Sequence, residues 1–402
     1  MQSLKELIEQ YGEPDILIDS FNSKAKRYAI WGFAEVLQIK KNGIYLNNQL
    51  IKGDFEQNFQ KIINQWKKDQ NNKQIACVGF ISYEFKNYIY NHINFDKQLN
   101  NKFPYLWFCK PTMIKEYKIE KSDKICAIEK LKILKDIMPL KNYKSKIDSI
   151  KNYLKNGDVY QINFTDKKIL NSNINDSFKL YNNLRLIAKP EEGYFIKTND
   201  FDILSLSPES FIKIKNGVIE TAPIKGTRPS SKNKKENAKL KSELQNSPKD
   251  KAEHLMIVDL MRNDLGKICE LGSIKIKNIY EIKTFETIHH MVTKIKGRLK
   301  QDVAEFDVLK ALFPGGSITG APKESAMRII DKLEIEPRKI YTGSIGYITP
   351  TSNMMFNICI RTLLRDHNNY EYGIGGGIVW DSIAKDEWFE AQQKSKILEP
   401  LL

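Results

Sequence analysis

Apolar and polar positions along the chain change period several times, and each change predicts an element. Met1 to Pro14 reads as a charged amphipathic turn of helix. Up to about residue 130, short apolar runs (Asp15 to Asp19, Ile75 to Phe85, Tyr105 to Phe108) alternate with turn signals such as Lys41-Asn42-Gly43, which predicts mixed strands and helices. Between Glu116 and Lys141 the pattern turns lysine-rich and ends in Met138-Pro139-Leu140, so the division expected is a variable N-terminal part, 1–135, and a second part, 136–402. Tyr143, Ile147, Ile150 and Leu154 recur at helical spacing up to Gly157, as in a helix closed by a glycine. A strand, Val159 to Phe164, should follow. Ser230 to Lys241, with Lys232 inside it, reads as a mobile basic surface loop running into a helix. His254 to Leu265 is apolar almost all round and stops at Gly266, which predicts a buried helix. The last third alternates glycine-rich turns with strand-like runs.

The composition is globular: 402 residues, 41% apolar and 10% aromatic. That length accommodates two or three domains, or one large unit with a well-filled core. Lys+Arg 64 against Asp+Glu 49 gives +15. Lysine supplies most of that charge, and arginine, which makes the bidentate contacts to guanine and phosphate, is sparse, so no nucleic-acid partner is expected. No apolar run is long enough to span a bilayer and no secretory signal opens the chain, which implies a soluble protein without a membrane partner. Five scattered cysteines (Cys77, Cys109, Cys126, Cys269, Cys359) with no CxxC pair fit reduced thiols and a cytoplasmic location.

Three segments carry candidate chemistry. In Thr221-Ala-Pro-Ile-Lys-Gly-Thr-Arg228, Lys225 lies between an apolar Pro-Ile and a glycine. Desolvation there would free its amine as a nucleophile or base; a solvated lysine beside a turn is the plainer reading of the octapeptide alone. Near the C-terminus, Glu387, Glu390 and Lys394 share one helical face. They form either an exposed Glu to Lys pair or, with Glu253 as a third carboxylate, a hard-cation site for Mg²⁺. Phe313 to Lys323 (FPGGSITGAPK) is a glycine-rich loop before a helical pattern, Glu324 to Leu333, and could offer N–H groups to an anion. It lacks the GxxxxGK[ST] pattern, and Gly373 to Ile378 (GIGGGI) lacks the acidic residue of a dinucleotide fingerprint. His254 beside Glu253, and His289-His290 after Glu286, have no metal-ligand spacing and read as core or substrate-orienting groups.

The ordered blocks GDVYQIN (157–163), SPESF (207–211), PIKGTRP (223–229), EHLMIVDLMRNDLG (253–266), TIHHM (287–291), FPGGSITGAPK (313–323), YTGSIGY (341–347), NICIRT (357–362) and GGGIVWDS (375–382) resemble the chorismate-utilising enzymes. The first 130 residues resemble that family only loosely, in Asp19-Ser20-Phe21 and Val78 to Phe85. The resemblance implies an α+β fold, a two-sheet antiparallel β-sandwich flanked by helices, with chorismate and Mg²⁺ in a cleft between the sheets and 136–402 as the chorismate-binding catalytic domain. It assigns Glu253, Glu387 and Glu390 to the metal. Ser317, Thr319 and Gly320, with Gly376, go to the substrate site, His290 to the ring, and Tyr341, Arg361 and Lys394 to the enolpyruvyl carboxylate. Glu209 matches the general acid for the departing C4 hydroxyl. Gln161 stands where water-using members of the family carry a lysine base, which points to ammonia as the nucleophile. Lys225 replaces the alanine of the anthranilate-forming branch (PIAGT), and the PIKGT form resembles the branch that makes 4-amino-4-deoxychorismate through a lysine-bound intermediate. With Leu402 eight residues beyond Lys394, the ammonia is expected from a separate glutamine amidotransferase subunit.

Overall fold

The computed structural model describes the chain except residues 23–24, 121–124, 126–129, 172–175, 232 and 285–287, and the side chain of residue 288. Cys126, Lys232, Glu286 and Thr287 therefore lie outside the described residues. The other four cysteines are buried and free.

All pairings between the described strands are antiparallel, and they form two limbs that meet at one long strand, Tyr28–Lys40. One limb runs from it through Ile16–Asp19, Glu192–Lys197, Asp202–Ser207, Thr362–Asp366 and Asn369–Ile378 to Gln161–Asn171. The other runs through Leu106–Glu116, Cys77–Ile81, Ser344–Ile348, Met354–Ile358, Ser210–Lys215 and Val218–Thr221 to Ile288–Arg298. Ile224–Pro229 and Lys275–Thr284 then flank Ile288–Arg298.

Period-two alternation sorts the first limb's side chains between two cores. Ile16, Ile18, Ile196 and Ile203 face the core shared with the second limb, whereas Leu17, Phe195, Leu204 and Leu363 face a second core. The helices Leu4–Tyr11 and Ser177–Ala188 contribute to that second core. Because both faces are covered, these strands read in the sequence as continuous apolar runs. The limbs touch through Phe201, whose ring packs edge-on against Phe80 at 5.5 Å and Phe103 at 5.1 Å. The sandwich with flanking helices is thus observed, with the sheets joined along one strand. Residues of the first 135 lie inside it, since Cys77–Ile81 pairs with Ser344–Ile348.

Several expected elements shift. The helix read from Tyr143 spans Leu140–Lys155, and the strand read at Val159 to Phe164 spans Gln161–Asn171. The basic stretch after Ser230 becomes a helix at Lys234–Asn246, capped by the Asn233 side chain. The helix read as apolar all round runs Pro248–Ile268 and is amphipathic: His254, Ile257, Val258, Met261, Asp264, Leu265 and Ile268 are buried, while Leu255 is exposed. Gly266 lies inside it. Ser247 caps its N-terminus and Pro248 takes the first turn, start signals that the apolar run alone does not show. The glycines from Gly373 to Gly377 form no turn; they lie within the strand Asn369–Ile378. Among the described residues no helix is long and apolar enough to cross a membrane.

Candidate active site

Strands well removed from Tyr28–Lys40 in each limb carry the site. Gln161 opens the strand next to the one with Gly376 and Gly377 in one limb, with the short Gly320–Ala321 strand paired on it, and Lys225 and His290 lie on paired strands at the end of the other. A bulge between Lys225 and Thr227, with Gly226 at φ +72°, locally breaks the register beside Lys225. The limb ends meet over Gly377. A Cβ there would stand 2.5 Å from Gln161 Nε2 and 3.1 Å from Lys225 Nζ, so glycine leaves room for both.

Lys225 Nζ donates to the Ser317 carbonyl at 3.3 Å, and Ser317 Oγ donates to Glu209 Oε1 at 2.7 Å. Lysine, loop serine and carboxyl therefore form one chain of contacts. Burial pushes the Lys225 amine below the usual lysine range, against the opposing pull of Glu253 and Glu209. Burial pushes the Glu209 carboxyl up, against its hydrogen bond from Ser317 and the charge of Lys225. Gln161 is fully buried, and neither amide atom has a hydrogen-bond partner among the described residues. An unsatisfied buried amide costs about 1–3 kcal/mol, so its place beside Lys225 calls for a functional reason.

The acidic group lies on two helices, Pro248–Ile268 with Glu253 and Ala384–Lys394 with Glu387 and Glu390. Burial raises the Glu253 carboxyl, and Glu387 adds to the rise. Glu387 is likewise raised by burial and by the charge of Glu390, and it accepts from Ser382 Oγ at 2.7 Å. Lys394 Nζ lies 2.8 Å from Glu390 and holds that carboxyl low, while donating to Gly375 O at 2.8 Å. A Cβ on Gly376 would stand 3.4 Å from Lys394 Nζ and 3.7 Å from Glu387 Oε2. Among the described residues no three His, Cys, Asp or Glu side chains stand close enough to enclose an ion. The donors are nonetheless the hard oxygens that Mg²⁺ takes, and Mg²⁺ needs only one or two carboxylates plus water and substrate oxygens.

His290 Nδ1 is 3.0 Å from Thr227 Oγ1. Burial and the charge of Arg361 depress its pKa to about 4, so the ring is neutral near pH 7. Arg361 sits in the left-handed region at φ +51°. The Tyr341 ring occupies the space over Gly373 that any side chain there would fill. Thr319 turns into its own loop, donating to Gly315 O at 2.9 Å, and a Cβ on Gly320 would collide with the Gln161 carbonyl. These two residues shape the loop's backbone and Ser317 presents its hydroxyl. His254 and His289 are core groups: His254 meets Thr293 Oγ1 at 2.7 Å, and His289 bridges Thr284 and Asn237.

Two supports escaped the sequence reading. Lys323, the last residue of the glycine-rich motif, is buried, reaching Asp264 at 2.5 Å and donating to Leu312 O at 3.1 Å. Arg338 is the second, buried beneath the same loop. The partners of Lys323 lie 59 and 11 residues away, and no local pattern pairs them. Lys323→Met is expected to cost about 3 kcal/mol by stranding Asp264 in the interior, the exposed Lys267 limiting the loss. A lower urea midpoint with unchanged slope would show it.

A family model described as chorismate binding enzyme matches residues 129–400. Aminodeoxychorismate synthase component 1 of Klebsiella aerogenes is 41% identical over 265 residues, 66% of this chain and 58% of that protein. Anthranilate synthase component 1 of Acetivibrio thermocellus is 36% identical over 248 residues, 62% of this chain and 50% of that protein. The chain thus spans little more than half the length of these relatives in the matched region. The crystal structure of anthranilate synthase component I from Streptococcus pneumoniae TIGR4 superposes with a TM-score of 0.79 at 26% identity, covering 93% of this chain and 92% of that one. Motifs, fold and family model agree, and the chain belongs to the chorismate-binding enzyme family.

Proposed function

We propose that the protein aminates chorismate at C4, giving 4-amino-4-deoxychorismate for 4-aminobenzoate and folate synthesis. Ammonia would come from a separate glutamine amidotransferase subunit. One observation carries the reading: a desolvated lysine amine, Lys225, in contact through Ser317 with a carboxyl, Glu209, whose burial favours its protonated form. In the first step the Lys225 amine forms a bond to C2. The ring double bonds shift, and the C4 hydroxyl leaves as water with the proton that Glu209 supplies. Glu209 recovers a proton from the newly bonded nitrogen. Ammonia then bonds to C4, the double bonds shift back, and Lys225 leaves C2 as the free amine with the proton that Glu209 returns, after which the new C4 ammonium reprotonates Glu209. Chorismate and ammonia become aminodeoxychorismate and water.

Glu253, Glu387 and Glu390 would hold Mg²⁺, which when bound offsets the repulsion between these carboxylates and the ring carboxylate. Ser317 keeps Glu209 oriented, Arg361 and Lys394 supply positive charge for the second substrate carboxylate, and the neutral His290 lines the ring. Gln161 keeps an amide, with no proton-accepting amine, where ammonia must act.

Anthranilate formation is the second reading, favoured by the anthranilate synthases among the relatives. It requires amination at C2, the position that Lys225 takes here. Mass spectrometry of the products from chorismate, Mg²⁺ and an ammonium salt, with and without aminodeoxychorismate lyase, separates the two. Aminodeoxychorismate that the lyase converts to 4-aminobenzoate supports the proposal, and anthranilate with pyruvate refutes it.

Gly377→Ala is expected to lower kcat about 100-fold, because its Cβ must displace Gln161 and crowd Lys225. Thermal melting within a few degrees of the parent, about the effect of 1 kcal/mol or less, would separate this from unfolding.

A further inference from the structure

We propose that Arg338 is a positioning residue for this reaction, locking the loop that carries Ser317 onto the strand that carries Gln161 and so fixing both neighbours of Lys225. The inference rests on the chemistry proposed above and adds a residue to it.

All the guanidinium donors are engaged. Nη1 donates to Ile318 O at 2.9 Å, next to Ser317, and to Thr342 Oγ1 at 3.1 Å. Nη2 donates to Asn163 O at 2.7 Å, two residues from Gln161, and to Glu334 Oε1 at 2.7 Å. Nε donates to Glu334 Oε2 at 2.9 Å. Glu334 Oε1 also accepts from the backbone N–H and hydroxyl of Thr165 on the Gln161 strand, at 2.9 and 2.8 Å. One planar fork thus joins two backbones that otherwise meet through Asn163 N–H to Thr319 O at 2.7 Å and the short Gly320–Ala321 pairing.

The fork is itself held from the N-terminal part of the chain. Glu84 accepts from the backbone N–H of Arg338 at 2.7 Å and of Lys339 at 3.0 Å, and the Tyr83 ring lies 4.3 Å from the guanidinium. A lysine could keep the charge near Glu334, but a single ammonium cannot reproduce the fork to both carbonyls. The loop carrying Ser317 would then move against Gln161, and a shift of about 1 Å is enough to cost on the order of 100-fold in rate.

The test uses the full chain, with ammonium salt, Mg²⁺ and chorismate. Arg338→Lys is expected to lose about 30- to 100-fold in kcat while KM for chorismate stays within about threefold, because the misplaced groups act on the reacting atoms. Combining it with Ser317→Ala should add no more than about threefold to the worse single loss, since both act through one loop. Glu84→Gln, nearly isosteric and remote from substrate, should lose about fivefold in kcat at constant KM. It carries the same test if Arg338→Lys does not fold. Unchanged kcat in a folded variant, or losses that multiply with Ser317→Ala, would overturn the positioning role. Absence of chorismate amination by the parent protein would instead overturn the function on which it rests.

Discussion

Lys225→Ala is expected to reduce aminodeoxychorismate formation at least about 1000-fold, roughly 4 kcal/mol in the barrier, or to divert turnover to a different amination product. The amine is the group proposed to bond to C2, and among the described residues no other lysine is placed beside Glu209, Gln161 and Gly377. Lys225→Arg should fare no better, because a guanidinium keeps its proton and cannot attack. Product analysis with quantified rates checks both variants. The same product at an unchanged rate would end the covalent role. An acid quench with intact-protein mass measurement should show the substrate-derived adduct on the parent and none on Lys225→Ala.

Glu209→Gln is expected to lower kcat about 1000-fold, as the departing hydroxyl loses its proton donor while the near-isosteric amide can still accept from Ser317. Burial moves Lys225 down and Glu209 up, so the two titrations approach each other. The reactive form has one proton on the pair, placed on Glu209. Below the working window the pair carries two protons and Lys225 cannot attack. Above it the pair carries none and Glu209 has nothing to give. A bell-shaped dependence of kcat on pH follows, its two apparent pKa values belonging to the pair. Glu209→Gln should keep the Lys225 limb and lose the other. A bell of unaltered shape and height in that variant would move the acid to another residue.

The ordered motifs carried the family, and several of the residues they single out cluster in the fold, while the supports were harder to read. Lys225, Glu209, Gln161 and Ser317 are found together although they come from four separate segments. Nothing in the octapeptide around Lys225 distinguishes a desolvated amine from a solvated one, because the desolvation comes from strands and loops far along the chain. Arg338 and Glu334 are four apart and would pass as an ordinary surface helix pair. They lie just past the helix Lys323–Leu333, buried, where backbone carbonyls from elsewhere converge. The glycines at 373–377 look like a turn because glycine weakens strands. Here the strand accepts that cost since the Tyr341 ring, Gln161 and Lys225 need the missing side-chain volume. The helix Pro248–Ile268 misled for the opposite reason: residues such as Leu255 and Leu260 are apolar without being in the core.

The joining of the two limbs at Tyr28–Lys40 also bears on how such a catalyst can diversify. On the proposed chemistry, the residue at 161 governs what attacks and the residue at 225 governs which carbon is attacked first. Each is borne by a strand of a different limb, far from the joining strand. Either decision can be rewritten by a substitution in its own limb without repacking the interior of the other. The pair still meets over Gly377, so their effects should combine non-additively. On that chemistry, reagent choice and regiochemistry behave as two coupled dials on one scaffold, and amination at C4 is one combined setting of them.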